Sequence, residues 1–131
     1  MRFYYEIPAP LDFLVNKNLS NNVAIIGASI GANIALNYAV KDDSVKAIIL
    51  ISPGLDYRGV KTEETIKQFK NPILIIASQD DSYSADSSKT LNSLNKNSEL
   101  KIYDGSLHGT DLFGKSDVEK VMIEWLNGKM K

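Results

Sequence analysis

Cysteine is absent from this 131-residue chain, and histidine occurs only once. The first absence rules out disulfides, thiolate nucleophiles and Cys-based zinc sites. The second rules out a His-rich metal centre, so neither a metal nor another cofactor is expected. An excess of either charge is missing too. Fifteen Lys and Arg stand against sixteen Asp and Glu, a net charge of −1, so nothing favours nucleic acid or an anionic membrane as partner. No apolar run approaches the ~18 residues of a membrane span, and no signal peptide is expected ahead of the first elements. The expectation is a cytoplasmic protein of one domain, residues 1–131, whose N-terminal residues 1–22 are atypical. An apolar content of 44% with 24% charged residues supports an ordinary soluble core of modest size.

What is present centres on Val23-Ala24-Ile25-Ile26-Gly27-Ala28-Ser29-Ile30-Gly31. A run of β-branched and apolar residues enters this stretch, and Ala32-Asn33-Ile34-Ala35-Leu36 leaves it. The first reads as a fully buried strand and the second as the opening of a buried helix. Between them Gly27-x-Ser29-x-Gly31 must reverse the chain sharply, which pushes Ser29 toward strained backbone angles and calls for neighbours without a Cβ. The Ser29 hydroxyl then stands at the C-terminal edge of a sheet, over a helix N-terminus that favours a developing oxyanion. The blander alternative is a Gly-rich βα turn in which Ser29 only caps the helix.

Taken in order, residues 2–7 alternate as a short strand that Pro8 and Pro10 stop, Asp12 to Asn18 suggests a short helix, and 18–22 a turn. Ala32 to Val40 reads as helix and Val45 to Ile51 as a second buried strand ended by Ser52-Pro53-Gly54. A short helix is expected at Thr62 to Phe69, a third buried strand at Pro72 to Ser78, a weaker helix at Ala85 to Leu94, and an edge-like strand at Glu99 to Tyr103. In the last helix Ser116 and Glu119 suggest a capping box. Val118, Val121, Met122, Trp125 and Leu126 form its stripe, and Gly128 its end. Buried strands alternating with helices predict an α/β fold, a mostly parallel sheet with helices on both faces.

In such a sheet, sites form beyond the C-terminal ends of the strands. Ser29 follows the first core strand, Asp80 and Asp81 the third, and His108 the fourth. Asp104 and Asp111, near His108, read as loop solvation or capping, and Tyr57 and Arg58 as solvated residues of the excursion after the second strand, which is at most a minimal lid. The order Ser…Asp…His is that of the α/β-hydrolase fold.

From about residue 12 onward the chain resembles that family, in flavour its dienelactone-hydrolase and esterase-like branch. The resemblance rests on Gly27-Ala28-Ser29-Ile30-Gly31, on Ile75-Ile76-Ala77-Ser78-Gln79-Asp80-Asp81 and on Leu107-His108-Gly109. It implies a truncated α/β-hydrolase fold with Ser29 as nucleophile on a nucleophile elbow, His108 as base and Asp81 as the acid that orients it. Asp81 is selected because the family places its acid three residues after the small residue that ends the strand, here Ser78; Asp80 remains the alternative. The resemblance also makes the backbone N–H of Ile30 an oxyanion donor. A serine hydroxyl needs a base at neutral pH, and an imidazole with an ordinary pKa of about 6.5 can take and return that proton. The function so implied is a serine esterase acting on a small-molecule ester or related acyl substrate. A non-catalytic binding domain, or one piece of a longer hydrolase, is the alternative. A dinucleotide-binding domain is disfavoured, because the turn lacks Gly-x-Gly-x-x-Gly.

The chain departs from the family ahead of the elbow. Several strands are expected there, and only residues 1–22 are present. A second oxyanion donor would come from that region, yet no His-Gly or Gly-Gly precedes Val23; one such donor is worth about 10²–10³ in rate. The 23–27 strand would also be left with an open edge, which predicts that residues 2–7 cover it or that a homodimer forms through it.

Overall fold

A computed structural model describes residues 22–130 with their side chains, and residues 2–6 and 13–17 by their backbone. Six strands form the main sheet: β1 (Arg2–Glu6), β2 (Phe13–Lys17), β3 (Val23–Ala28), β4 (Val45–Ile51), β7 (Ile73–Ser78) and β8 (Ser98–Tyr103), in the order β1-β2-β3-β4-β7-β8. The last four run parallel, and β2 runs against both its neighbours. Between β4 and β7 lies a two-stranded hairpin, β5 (Asp56–Tyr57) and β6 (Val60–Lys61). Three helices complete the fold: α1 (Ile30–Ala39), α2 (Ser82–Leu94) and α3 (Val118–Lys129).

The alternation of side chains along each strand divides the core into two layers. Ile25, Ile48, Leu50, Ile73 and Ile75 face one side, where they pack with Ala32, Leu36 and Leu91 of α1 and α2. Ala24, Ile26, Ala47, Ile49, Ile51, Leu74 and Ile76 face the other, against Val118, Met122 and Leu126 of α3. The reason is topological. Parallel strands added in one direction by crossovers of one hand place their helices on a single face, so only the helix after the last strand is free to cover the opposite one. Because β4 from Ala47 onward and β7 are buried on both faces, they read as near-continuous apolar runs, broken in β4 only by the exposed Lys46. Truncating any of these isoleucines to alanine costs about 2–5 kcal/mol.

Parallel pairing sets Ala28 beside Ile51 and Ser78 beside Tyr103, so β3, β4, β7 and β8 all end at the same rim. The residues that follow those ends, Ser29, Ser52, Gln79 to Asp81 and Asp104 to Gly109, are therefore delivered to one place.

Several expectations are corrected. Residues 13–17 form β2 and not a helix: so short a segment cannot sustain a helix alone, whereas the edge of β3 offers a full row of unpaired backbone groups. It is β2, not residues 2–7, that covers β3, and β1 pairs in turn with β2. The edge through which a homodimer was expected is thus paired within the chain. The helix expected at Thr62 to Phe69 shrinks to a 3₁₀ turn, Thr65–Gln68, because Thr62 is tied back to Gly54 and Leu55. Helix α2 begins at Ser82, three residues early. The capping box is also absent as such: Ser116 Oγ accepts the Val118 N–H, and the Glu119 carboxylate accepts the Gly114 N–H, because Asp117 is the residue at the helix start. Gly128 lies inside α3, which closes when the Met130 N–H bonds the Leu126 carbonyl. The stop at Pro8 and Pro10 lies outside the described residues, as does most of the turn at 18–22. Among the described residues no helix is long and apolar enough to cross a membrane.

Candidate active site

The elbow forms as its residue types demand. A Cβ on Gly27 would lie 2.5 Å from the Gly31 carbonyl oxygen and 2.8 Å from Ala32 Cα, so only glycine lets β3 and α1 approach this closely. Ser29 has φ 58° and ψ −130°, a conformation that costs a non-glycine residue of order 1–3 kcal/mol. It is held from both sides. Its N–H donates to the Ile51 carbonyl (2.8 Å), and its own carbonyl accepts the Ala32 N–H (2.9 Å). Ile30 is the first residue of α1, so its N–H belongs to the positive end of that helix beside the Ser29 hydroxyl.

Ser29 and Asp81 occupy the same kind of place, the residue immediately before a helix, where serine and aspartate ordinarily cap free N–H groups. Neither does so here. Both side chains turn to His108 instead: Nε2 lies 2.8 Å from Ser29 Oγ, and Nδ1 lies 2.5 Å from Asp81 Oδ2. Residues separated by 79 and 27 positions along the chain are thereby joined. An ionised carboxylate only accepts, so Nδ1 carries the proton and Nε2 is left with a lone pair toward the serine hydroxyl. Two forgone caps, each worth about 0.5–2 kcal/mol, are the cost of the arrangement.

Asp80 is exposed, and its backbone N–H donates to the Gly105 carbonyl. Asp104 and Asp111 are exposed as well; Asp111 meets His108 only through its backbone N–H, which donates to the His108 carbonyl (3.1 Å), and the ring nitrogens of His108 bond Ser29 and Asp81. Among the described residues no group of three or more His, Asp or Glu side chains is placed to hold a metal ion.

Sequence reasoning missed what holds the imidazole. Buried Ser78 Oγ donates to the Leu107 carbonyl (2.6 Å), and buried Ser52 Oγ accepts the Gly109 N–H (2.8 Å). The residues on either side of His108 are thus clamped to the ends of β7 and β4. Ser52 itself sits at φ 51°. Nothing local distinguishes these serines from residues that end strands; the one signal was that each is the first or last residue of a buried run.

Tyr57 was also misread. Arg58 is exposed at the hairpin tip, but Tyr57 is half-buried, its ring centroid 6.4 Å from that of His108 at 86°. Its hydroxyl bonds Ser84 Oγ (2.7 Å), and burial, the largest influence, raises its pKa above the ordinary tyrosine value.

Residues 7–119 match the dienelactone hydrolase family. The chain belongs to that family. Solved structures agree on the fold. MenH from S. aureus superposes with a TM-score of 0.72 at 14% identity, over 82% of this chain and 69% of that one. The esterase domain of a Rhodothermus marinus protein gives 0.67 at 19%, over 79% and 58%. Pyrococcus horikoshii acylaminoacyl peptidase gives 0.67 at 18%, over 81% and 23%. This dienelactone hydrolase family chain therefore has the α/β-hydrolase fold, and spans only part of the length of most of these relatives. No curated protein matches it in sequence.

Proposed function

We propose that the chain is a serine hydrolase that cleaves carboxylic esters or related acyl compounds. Membership of the dienelactone hydrolase family supports a hydrolase. The observation that carries the finer reading is the withdrawal of two capping side chains, Ser29 and Asp81, from their helices toward one imidazole. In this reading Ser29 Oγ attacks the substrate carbonyl carbon while His108 Nε2 takes its proton. Asp81 holds Nδ1 and stabilises the imidazolium. The tetrahedral oxyanion accepts the Ile30 N–H. On collapse the carbon–oxygen bond breaks, and Nε2 returns the proton to the departing alkoxide, leaving an acyl-serine. Water, deprotonated by the same nitrogen, then releases the acid and restores the serine.

Release of p-nitrophenol from short acyl esters tests this, with Ser29→Ala and His108→Ala expected to abolish it. Labelling of Ser29 by a fluorophosphonate probe, which requires an activated serine, is expected in the unmodified chain and absent in His108→Ala. A folded chain that neither turns over esters nor takes the probe would instead be the non-catalytic binding domain.

A further inference from the structure

The excursion between β4 and β7 is anchored at every turn, which makes it a fixed part of the site. Asn33 of α1 donates to the Gly54 and Val60 carbonyls and accepts the Gly54 N–H. Thr62 Oγ1 donates to the Gly54 carbonyl, and the Leu55 N–H donates to Ser87 Oγ of α2. Two aromatic rings are stacked on this support. Tyr57 and Tyr83 meet edge-to-face with centroids 5.6 Å apart at 68°. Both lie so close over Gly54 that a Cβ there would fall 2.7 Å from the Tyr83 ring and 2.8 Å from the Tyr57 ring.

Both hydroxyls are occupied by the scaffold. That of Tyr57 bonds Ser84 Oγ and the Ser52 carbonyl, and that of Tyr83 accepts the Asp56 N–H and donates to the Asp56 carbonyl. What the pair still presents outward is ring surface, with Tyr83 48% exposed. Position then decides its use. In the hydrolase reading, on which this inference rests, the proton that leaves on the alkoxide comes from His108 Nε2. The leaving group therefore departs over the imidazole, and Tyr57 is the aromatic ring beside that imidazole, with centroids 6.4 Å apart.

We propose that Tyr57 and Tyr83 wall the leaving-group subsite and select esters whose alcohol carries a flat aromatic group. A third ring completes the edge-to-face cluster that two rings begin. The carboxylate of Asp81, near Tyr57 and bound to His108, disfavours an anionic alcohol in the same place.

The test compares kcat/KM for benzyl and ethyl acetate, whose alcohols are of similar acidity. The unmodified chain is expected to favour the benzyl ester, and Tyr57→Ala to lower the benzyl-to-ethyl ratio about tenfold. Tyr57→Phe, which keeps the ring, is expected to retain the preference, and Tyr83→Ala to lose part of it. A ratio unchanged in Tyr57→Ala, with both esters falling by the same factor, overturns the proposal. If that variant does not fold, Tyr57→Leu decides by the same ratio. A readout free of turnover separates this inference from the hydrolase reading. Benzyl alcohol is expected to bind the Ser29→Ala chain in ligand-observed saturation-transfer NMR and to lose that binding in Ser29→Ala/Tyr57→Leu. Equal binding by the two would overturn the wall whatever the fluorophosphonate result.

Discussion

Replacing Ser52 with alanine would cut one of the two threads that position the His108 loop. Ser52 is fully buried, and its Oγ is the acceptor for the buried Gly109 N–H at 2.8 Å. Alanine leaves that N–H without the acceptor, a loss of about 1–3 kcal/mol. For a chain of this size a kilocalorie lowers the melting temperature by about 4 °C, so a fall of roughly 4–12 °C is expected in thermal denaturation followed by circular dichroism. The effect on rate is separable. A misplacement of about 1 Å at reacting groups costs on the order of 10², and here Ser78 still holds the other flank of His108. About tenfold in kcat for an activated acyl ester is the expected loss. Ser52→Gly isolates the two effects. It removes the same hydrogen bond but relieves the positive φ of 51°, worth roughly 1–2 kcal/mol to a residue with a side chain. It should recover part of the melting temperature and none of the kcat. Full kcat in Ser52→Ala together with a lowered melting temperature would show that the serine supports the fold without positioning the imidazole, and the reasoning would fail.

Asp81→Asn is expected to lower kcat/KM by on the order of 10⁴, because an amide cannot hold the same imidazole tautomer; Asp80→Asn, at an exposed position, should stay within a few-fold, and the opposite ranking would reassign the acid. Gly27→Ala drives a Cβ to 2.5 Å from backbone oxygen, so a destabilisation of about 3 kcal/mol, at the upper end for overpacking, should appear in chemical denaturation along with loss of fluorophosphonate labelling. Burial first, then the hydrogen bond to Asp117, raises the Tyr103 pKa, and burial likewise raises that of Tyr57. The folded chain therefore binds these phenolic protons more tightly than the unfolded chain does. Their stabilisation is complete below pH about 10 and is lost as pH rises beyond it. Urea midpoints measured from pH 8 to 11 should fall steeply above pH 10 and less steeply in Tyr103→Phe.

The buried strands β3, β4 and β7 were legible in the linear sequence because a strand covered on both faces is apolar along nearly its whole length, even with the exposed Lys46 near the start of β4. The elbow was legible for a related reason: only glycine tolerates the 2.5 Å approach at position 27, so the constraint is written in residue type. Parallel order followed from the alternation of strand and helix, and with it the arrival of Ser29, Asp81 and His108 at one rim. The choices made by contacts between distant residues were not legible. Residues 13–17 became a strand because the edge of β3 lay open beside them, a fact about the sheet and not about those five residues. Asp81 was preferred to Asp80 only through the family resemblance; the residues by themselves left both open, and Asp81 meets the imidazole because the turn after β7 aims adjacent side chains in different directions. Ser52, Ser78 and Tyr57 look like ordinary strand-end and loop residues until folding brings the His108 loop against them. Local periodicity encodes which surfaces must be buried, whereas hydrogen bonds across 29 or 57 positions exist only once those surfaces have met.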